Sequence, residues 1–212
     1  MKRSNNLFLL IALICFTGTL QAQISVGPKI GVNLGTFNGD NIESDDTSIL
    51  LGLQAGAAVE ISITENIAIQ PELLYFQKGT QTDIDFAGQT TVVEQTLNYI
   101  EIPILAKFKF ETDQGPILYG TLGPSFGFGI DGKIAVKGVE EEEAIDFQED
   151  MLTRIDVGFS FGVGAQFQIG PGSLFVDARY LLGLTSINEG DSSDIKNIGY
   201  GGAVGYLFTL SN

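Results

Sequence analysis

The chain has 212 residues, a formal net charge of −15, 27 glycines, one cysteine and no histidine. Without an imidazole the usual general base, the Ser-His-acid triad and the commonest zinc ligand are all unavailable. A single cysteine cannot brace the fold with an intrachain disulfide, and the acidic balance speaks against nucleic acid as a partner.

Lys2 and Arg3, an apolar run from Leu7 to Phe16, and small or polar residues up to Ala22 open the chain. That is the layout of a secretory signal peptide, and the apolar run is shorter than the roughly 20 residues a membrane helix needs. Cleavage after Ala22 is expected, leaving one domain over residues 23–212. Cys15 lies within the leader, and Ile14 stands where a lipoprotein signal requires a small residue, so lipidation is not expected.

Eight segments with a period of two follow, at 24–35, 49–63, 67–78, 97–110, 116–130, 154–169, 173–184 and 197–210. The clearest runs from Arg154 to Ile169, where Ile155, Val157, Phe159, Phe161, Val163, Ala165, Phe167 and Ile169 share one face. Connections alternate between long (36–48, 79–96, 131–153, 185–196) and short (Thr64–Asn66, Glu111–Gly115, Gly170–Gly172). An up-and-down, eight-stranded antiparallel transmembrane β-barrel has this asymmetry, with short periplasmic turns and long extracellular loops. The sequence therefore predicts an all-β barrel in the outer membrane of a Gram-negative bacterium.

The two faces of these strands separate by chemistry. The apolar face collects Ile30, Val32, Val59, Ile61, Leu73, Tyr75, Ile100, Ile102, Ile104, Phe108, Phe126, Phe128, Val176, Tyr180, Val204, Tyr206 and Phe208, none of them charged. The other face carries Lys29, Glu60, Glu72, Glu101, Lys107, Lys109, Arg154, Asp156, Asp177 and Arg179, five acids against five bases. An eight-stranded lumen is just wide enough to be filled by side chains, so these ten are expected to interlock as a plug of ion pairs. Pro71 and Pro103 each remove a ladder hydrogen bond and have no evident reason in this pattern.

The inverted reading, a soluble periplasmic lipocalin-like carrier, places the apolar face inside. Loop asymmetry, the charge balance of the polar face and the bulk of the aromatic and branched side chains all weigh against it.

With Lys2 and Arg3 removed the net charge is −17, of which the four long connections carry −15. Glu140–Glu143 and the group Asp40, Glu43, Asp45 and Asp46 could attract Ca²⁺, but their spacing matches no ordered calcium loop, so no metal or cofactor is expected. Asp156 with Asp177, or Glu72 with Glu101, could form carboxylate pairs for acid–base chemistry. Neutralisation by the nearby bases is the stronger reading, and no enzyme activity is expected. Glycines such as Gly199 to Gly205 precede no helix and do not form a phosphate loop. The 131–153 connection is the expected partner surface, and exchanging it is expected to leave stability unchanged.

At the residue level the chain resembles the PorT-like outer-membrane β-barrel family. The stretches that carry this are Lys29-Ile30-Gly31-Val32-Asn33, Gln70-Pro71-Glu72-Leu73-Leu74-Tyr75 with Lys78-Gly79, and Tyr99-Ile100-Glu101-Ile102-Pro103 with Lys107. Gly123-Pro124-Ser125 and Asp177-Ala178-Arg179-Tyr180 with Gly183-Leu184 extend it along the chain. The resemblance implies an eight-stranded outer-membrane barrel, makes Pro71 and Pro103 family features, and supplies no catalytic residues. The family's founding member is an accessory of a protein-secretion and surface-attachment machinery. The chain departs from a common barrel ending, since Leu210-Ser211-Asn212 is not aromatic, although Tyr206 and Phe208 lie nearby.

A non-enzymatic, monomeric structural or interaction barrel is therefore expected, with outer-membrane lipid around it and a secretion or surface-assembly protein as partner. A small-solute channel or receptor is the alternative, which the filled lumen opposes.

Overall fold

The computed structural model describes residues 23–39, 47–86, 89–113, 115–139, 142–147, 152–188 and 195–210. The expected leader and the acids Asp40, Glu43, Asp45, Asp46, Glu140 and Glu141 lie outside them. Nine strands form among the described residues: β1 (Ile24–Gly39), β2 (Thr47–Ser62), β3 (Ile67–Phe86), β4 (Gln89–Phe110), β5 (Ile117–Val136), β6 (Glu142–Ile145), β7 (Ile155–Ile169), β8 (Gly172–Gly183) and β9 (Ile195–Leu210). All pairings are antiparallel, and eight strands close into a ring because β1 pairs with both β2 and β9. β6 is an added piece, hydrogen-bonded to the outer end of β5. A closed ring leaves no edge in the wall, which is what a hydrocarbon solvent demands of a sheet.

Strand length is the main departure from the sequence reading. The 79–96 connection is mostly sheet: β3 and β4 stay in register from Gly79 with Thr96 out to Phe86 with Gln89. Likewise the 131–153 connection begins as strand, with Gly132 to Ala135 paired both to β4 and to β6. Alternation is lost there because an extension beyond the membrane has no face turned to lipid, so Thr80 to Asp83 has no apolar side to mark it.

Register shifts mark the step from wall to extension. They fall between Ile49 and Gln54 of β2 and between Asn98 and Tyr99 of β4, at the rim of the barrel where bulges commonly re-aim a strand. Gly79 sits at the first, with φ of 151°, and a Cβ there would collide with the carbonyl oxygen of Gln95. Glycine is required at this point.

The prolines have a place in the ladders. β2–β3 pairing passes from Ala58 with Glu72 to Ile61 with Ile69, skipping the pairs at Pro71. β3–β4 pairing passes from Pro71 with Ile104 to Leu74 with Glu101, and β4–β5 pairing from Pro103 with Ser125 to Ala106 with Leu122. A residue without an N–H cannot hold its ladder: Pro71 falls in the first gap, Pro103 in the second and Pro124 in the third.

Side chains outside the ring are apolar. Ile30 is 62% exposed, Leu51 62%, Phe110 63% and Val163 67%, and they belong to a continuous band of exposed Ile, Leu, Val, Phe and Tyr. No described member of the apolar-face set is buried. In water such a band would drive aggregation, whereas in a bilayer it is the solvated surface.

Candidate functional site

The inward residues of the ring stack as tiers along the barrel. Ile24 faces both Ile61 and Leu210, so the described chain ends meet the rim that carries the short turns. Nearest that rim, Glu60 accepts from Lys107 Nζ at 2.6 Å and Lys109 Nζ at 3.3 Å. Lys107 also donates to Gln70 Oε1 at 3.1 Å and Gln166 Oε1 at 3.0 Å, with its ammonium 4.0 Å from the centre of the Tyr119 ring.

In the middle tier Arg179 grips Glu72 through two bonds of 2.7 Å and reaches Asp177 at 2.8 Å. Lys29 Nζ lies 3.2 Å from both Glu72 Oε2 and Asp177 Oδ2. Gln70 joins this tier to the one below, donating to Glu72 Oε1 at 2.6 Å while accepting from Lys107. Toward the long-connection rim, Lys78 Nζ stands 2.6 Å from Glu101 Oε2 and 3.0 Å from Asp156 Oδ2. Ser125 donates to Glu101 Oε1 at 2.6 Å, and Asn197 Nδ2 to Asp156 Oδ2 at 2.9 Å.

Nine of the ten residues singled out in the sequence lie in these tiers. Arg154 does not: β7 begins one residue later, and its guanidinium sits at the rim beside Asp146, 3.8 Å away, with 35% of the side chain exposed. Lys78 takes the place expected of Arg154, and the count of five acids and five bases is preserved. It shares parity with Glu72, but the apolar Leu74 and Phe76 between them hid that inward face, because both are buried inside the barrel. Residue parity counted from Glu72 would have found it. The carboxylate pairs considered above are separated, since Asp156 and Asp177 occupy different tiers, as do Glu72 and Glu101. Each of the five carboxylates has a cation within 3.0 Å.

Glycine makes room for the largest inward rings. A Cβ at Gly164 would run into the Tyr119 ring, and one at Gly205 into that of Phe175.

An apolar layer that the sequence reading missed covers the upper tier. Phe37, Leu97, Tyr99, Ile145, Phe147, Leu152 and Ile187 form one buried cluster, with Ile134 and Ile195 packed against it. Phe147 is fully buried and meets Tyr99 edge-on, ring centres 5.8 Å apart. Ile145, Phe147 and Leu152 come from the 131–153 connection, so the described residues of that segment pack over the tier as a lid. No local period marks a single buried phenylalanine in an acidic stretch, which is why it was illegible. Glu142 lies on the outer surface, paired with Lys133 at 2.7 Å, both about half exposed.

A closed antiparallel ring, apolar outside and ion-paired inside, defines the class: a transmembrane β-barrel of the outer-membrane type. The chain belongs to the family described as outer membrane protein beta-barrel domain, whose model matches residues 21–189. It is accordingly a protein of the Gram-negative outer membrane, with its short turns on the periplasmic side. Among solved structures it is similar to Ail of Yersinia pestis at 17% identity, over 88% of this chain and 99% of that one, with a TM-score of 0.43. It is also similar to Neisserial surface protein A at 13% identity, 87% and 97% coverage and a TM-score of 0.46. The N-terminal β-barrel domain of Pseudomonas aeruginosa OprF matches at 13% identity, 89% and 100% coverage and a TM-score of 0.38. No curated protein matches the chain.

Proposed function

We propose that this protein is a non-enzymatic, sealed outer-membrane barrel of the PorT-like kind, an accessory that holds an acidic outer sheet for a protein of secretion or surface assembly. The observation that carries the reading is the outward continuation of the sheet. β3, β4 and β5 run past the last ion-paired tier, and β6 widens the sheet to four strands. Asp83, Asp131, Glu142, Glu143 and Asp146 stand exposed on it. A rigid, charged platform costs little ordering when it is bound, and its field selects a basic face on the partner.

The absence of histidine and the pairing of every lumen carboxylate with a cation support a role without catalysis. Residues 1–22 serve as the export signal, the barrel is a monomer surrounded by outer-membrane lipid, and it takes no nucleic acid. Cross-linking a tagged copy in separated outer membranes, followed by mass spectrometry, tests the partner. A stoichiometric secretion or surface-assembly protein is the expected product. Recovery from outer membranes with no stoichiometric partner would end the accessory reading and leave an autonomous barrel.

A further inference from the structure

The upper tier is one negative charge out of balance. Glu101 and Asp156 share a single cation, the Lys78 ammonium. Arg154 is paired with Asp146 at the rim, 3.8 Å away. Below, Lys29 and Arg179 offset Glu72 and Asp177 within their own tier, and the lumen's surplus base lies two tiers away, where Lys107 and Lys109 share Glu60. A charge left unmatched in a low-dielectric interior is strongly disfavoured, so a further positive body belongs here.

A small cavity lies against the same residues, its polar side formed by Asn33, Lys78, Glu101, Ser125, Asp156 and Asn197. It offers ≈ 20 Å³ to the centre of a water-sized sphere. One water needs about 10–15 Å³ on that measure, so one or two bodies of water or alkali-ion size fit. Two amide oxygens in this lining, Asn33 Oδ1 and Asn197 Oδ1, are buried without a hydrogen-bond partner, in residues 2% and 5% exposed, and Glu101 Oε2 beside them has only its ion pair with Lys78. The other end of each amide fixes which atom is free. Asn33 Nδ2 donates to the Gln77 carbonyl at 3.2 Å and Asn197 Nδ2 to Asp156 Oδ2 at 2.9 Å, so turning either amide over would break a bond. Acceptor oxygens beside excess negative charge are the surroundings of a hard cation, and one unmatched unit of charge selects a monovalent ion over a divalent one.

We propose that this cavity binds one alkali cation, Na⁺ or K⁺, through Asn33 Oδ1, Asn197 Oδ1 and the carboxylates of Glu101 and Asp156. The ion neutralises the tier and ties β1, β4, β7 and β9 together beneath the apolar lid.

The barrel purified in detergent is to be melted in choline chloride and in LiCl, NaCl, KCl and RbCl at one ionic strength. A saturable rise in Tm with an alkali ion over choline is expected, as mass action requires of a ligand that binds only the folded state. Glu101→Gln removes one negative charge with little change of shape and should weaken the apparent affinity by roughly tenfold or more. Crystals of the unaltered protein grown in RbCl should show anomalous scattering between Asn33 and Asn197, a readout independent of whether the variant folds. Identical melting in choline and all four alkali salts would overturn the site in favour of a proton or water alone. An empty Rb⁺ map, or an alkali response that Glu101→Gln leaves intact, would overturn the assigned ligands.

Discussion

A carboxylate inside this barrel is tolerated because a cation stands within 3.0 Å of it, and the cost of removing that cation far exceeds the worth of the pair itself. Arg179→Leu leaves Glu72 and Asp177 with only Lys29, and should cost roughly 3–5 kcal/mol of unfolding free energy, measured by urea titration in detergent. Lys78→Leu should cost a similar amount. Arg154→Leu breaks only a 3.8 Å pair at the rim and should change stability by about 1 kcal/mol or less. That contrast discriminates the two bases by location, since both are charged and both lie within one residue of a strand. Most of the lumen was legible because Glu, Lys, Arg and Asp alternating with apolar residues can only face the interior of a membrane barrel. Lys78 and Arg154 were exchanged because parity fails as a guide where a strand ends, and because leucine and phenylalanine on the inward face of β3 disguise it as the apolar one. Packing adds its own residue-level test: Gly164→Leu drives a side chain into the Tyr119 ring and should destabilise by about 1–3 kcal/mol on the same titration.

At the scale of the element, the segment after β5 deserves a different status from a surface loop. It pairs as β6 on β5 and then places Phe147 against Tyr99 under the rim. Phe147→Ala should lower unfolding free energy by about 3–5 kcal/mol, and exchange of the whole 131–153 segment by at least as much, contrary to the neutral exchange its acidity suggested. A melting curve of either variant in detergent checks this. The strands within the membrane were readable because lipid outside and ions inside impose a period of two on every one of them. Their outer continuations were not, because without lipid on one face that period is erased, and the paired stretch from Gly79 with Thr96 to Phe86 with Gln89 then looks like part of an eighteen-residue loop. The prolines were visible as oddities. Only the pairing across three neighbouring ladders revealed that Pro71 and Pro103 share one interrupted region of the wall.

For the whole molecule, the exterior decides where the protein resides and the interior decides what cannot pass through it. Three ion-paired tiers, the lower two linked by Gln70 and the uppermost capped by the apolar layer around Phe147, occupy the lumen from the periplasmic turns to the outer rim. Fold and location were legible in sequence because they follow from solvent alone, while a partner is recognised by surface shape that no periodicity encodes. Planar-bilayer conductance of the purified barrel tests the sealed lumen most directly. Insertion without stable current steps is predicted. Long-lived nanosiemens openings would contradict it and show that the tiers leave an aqueous path.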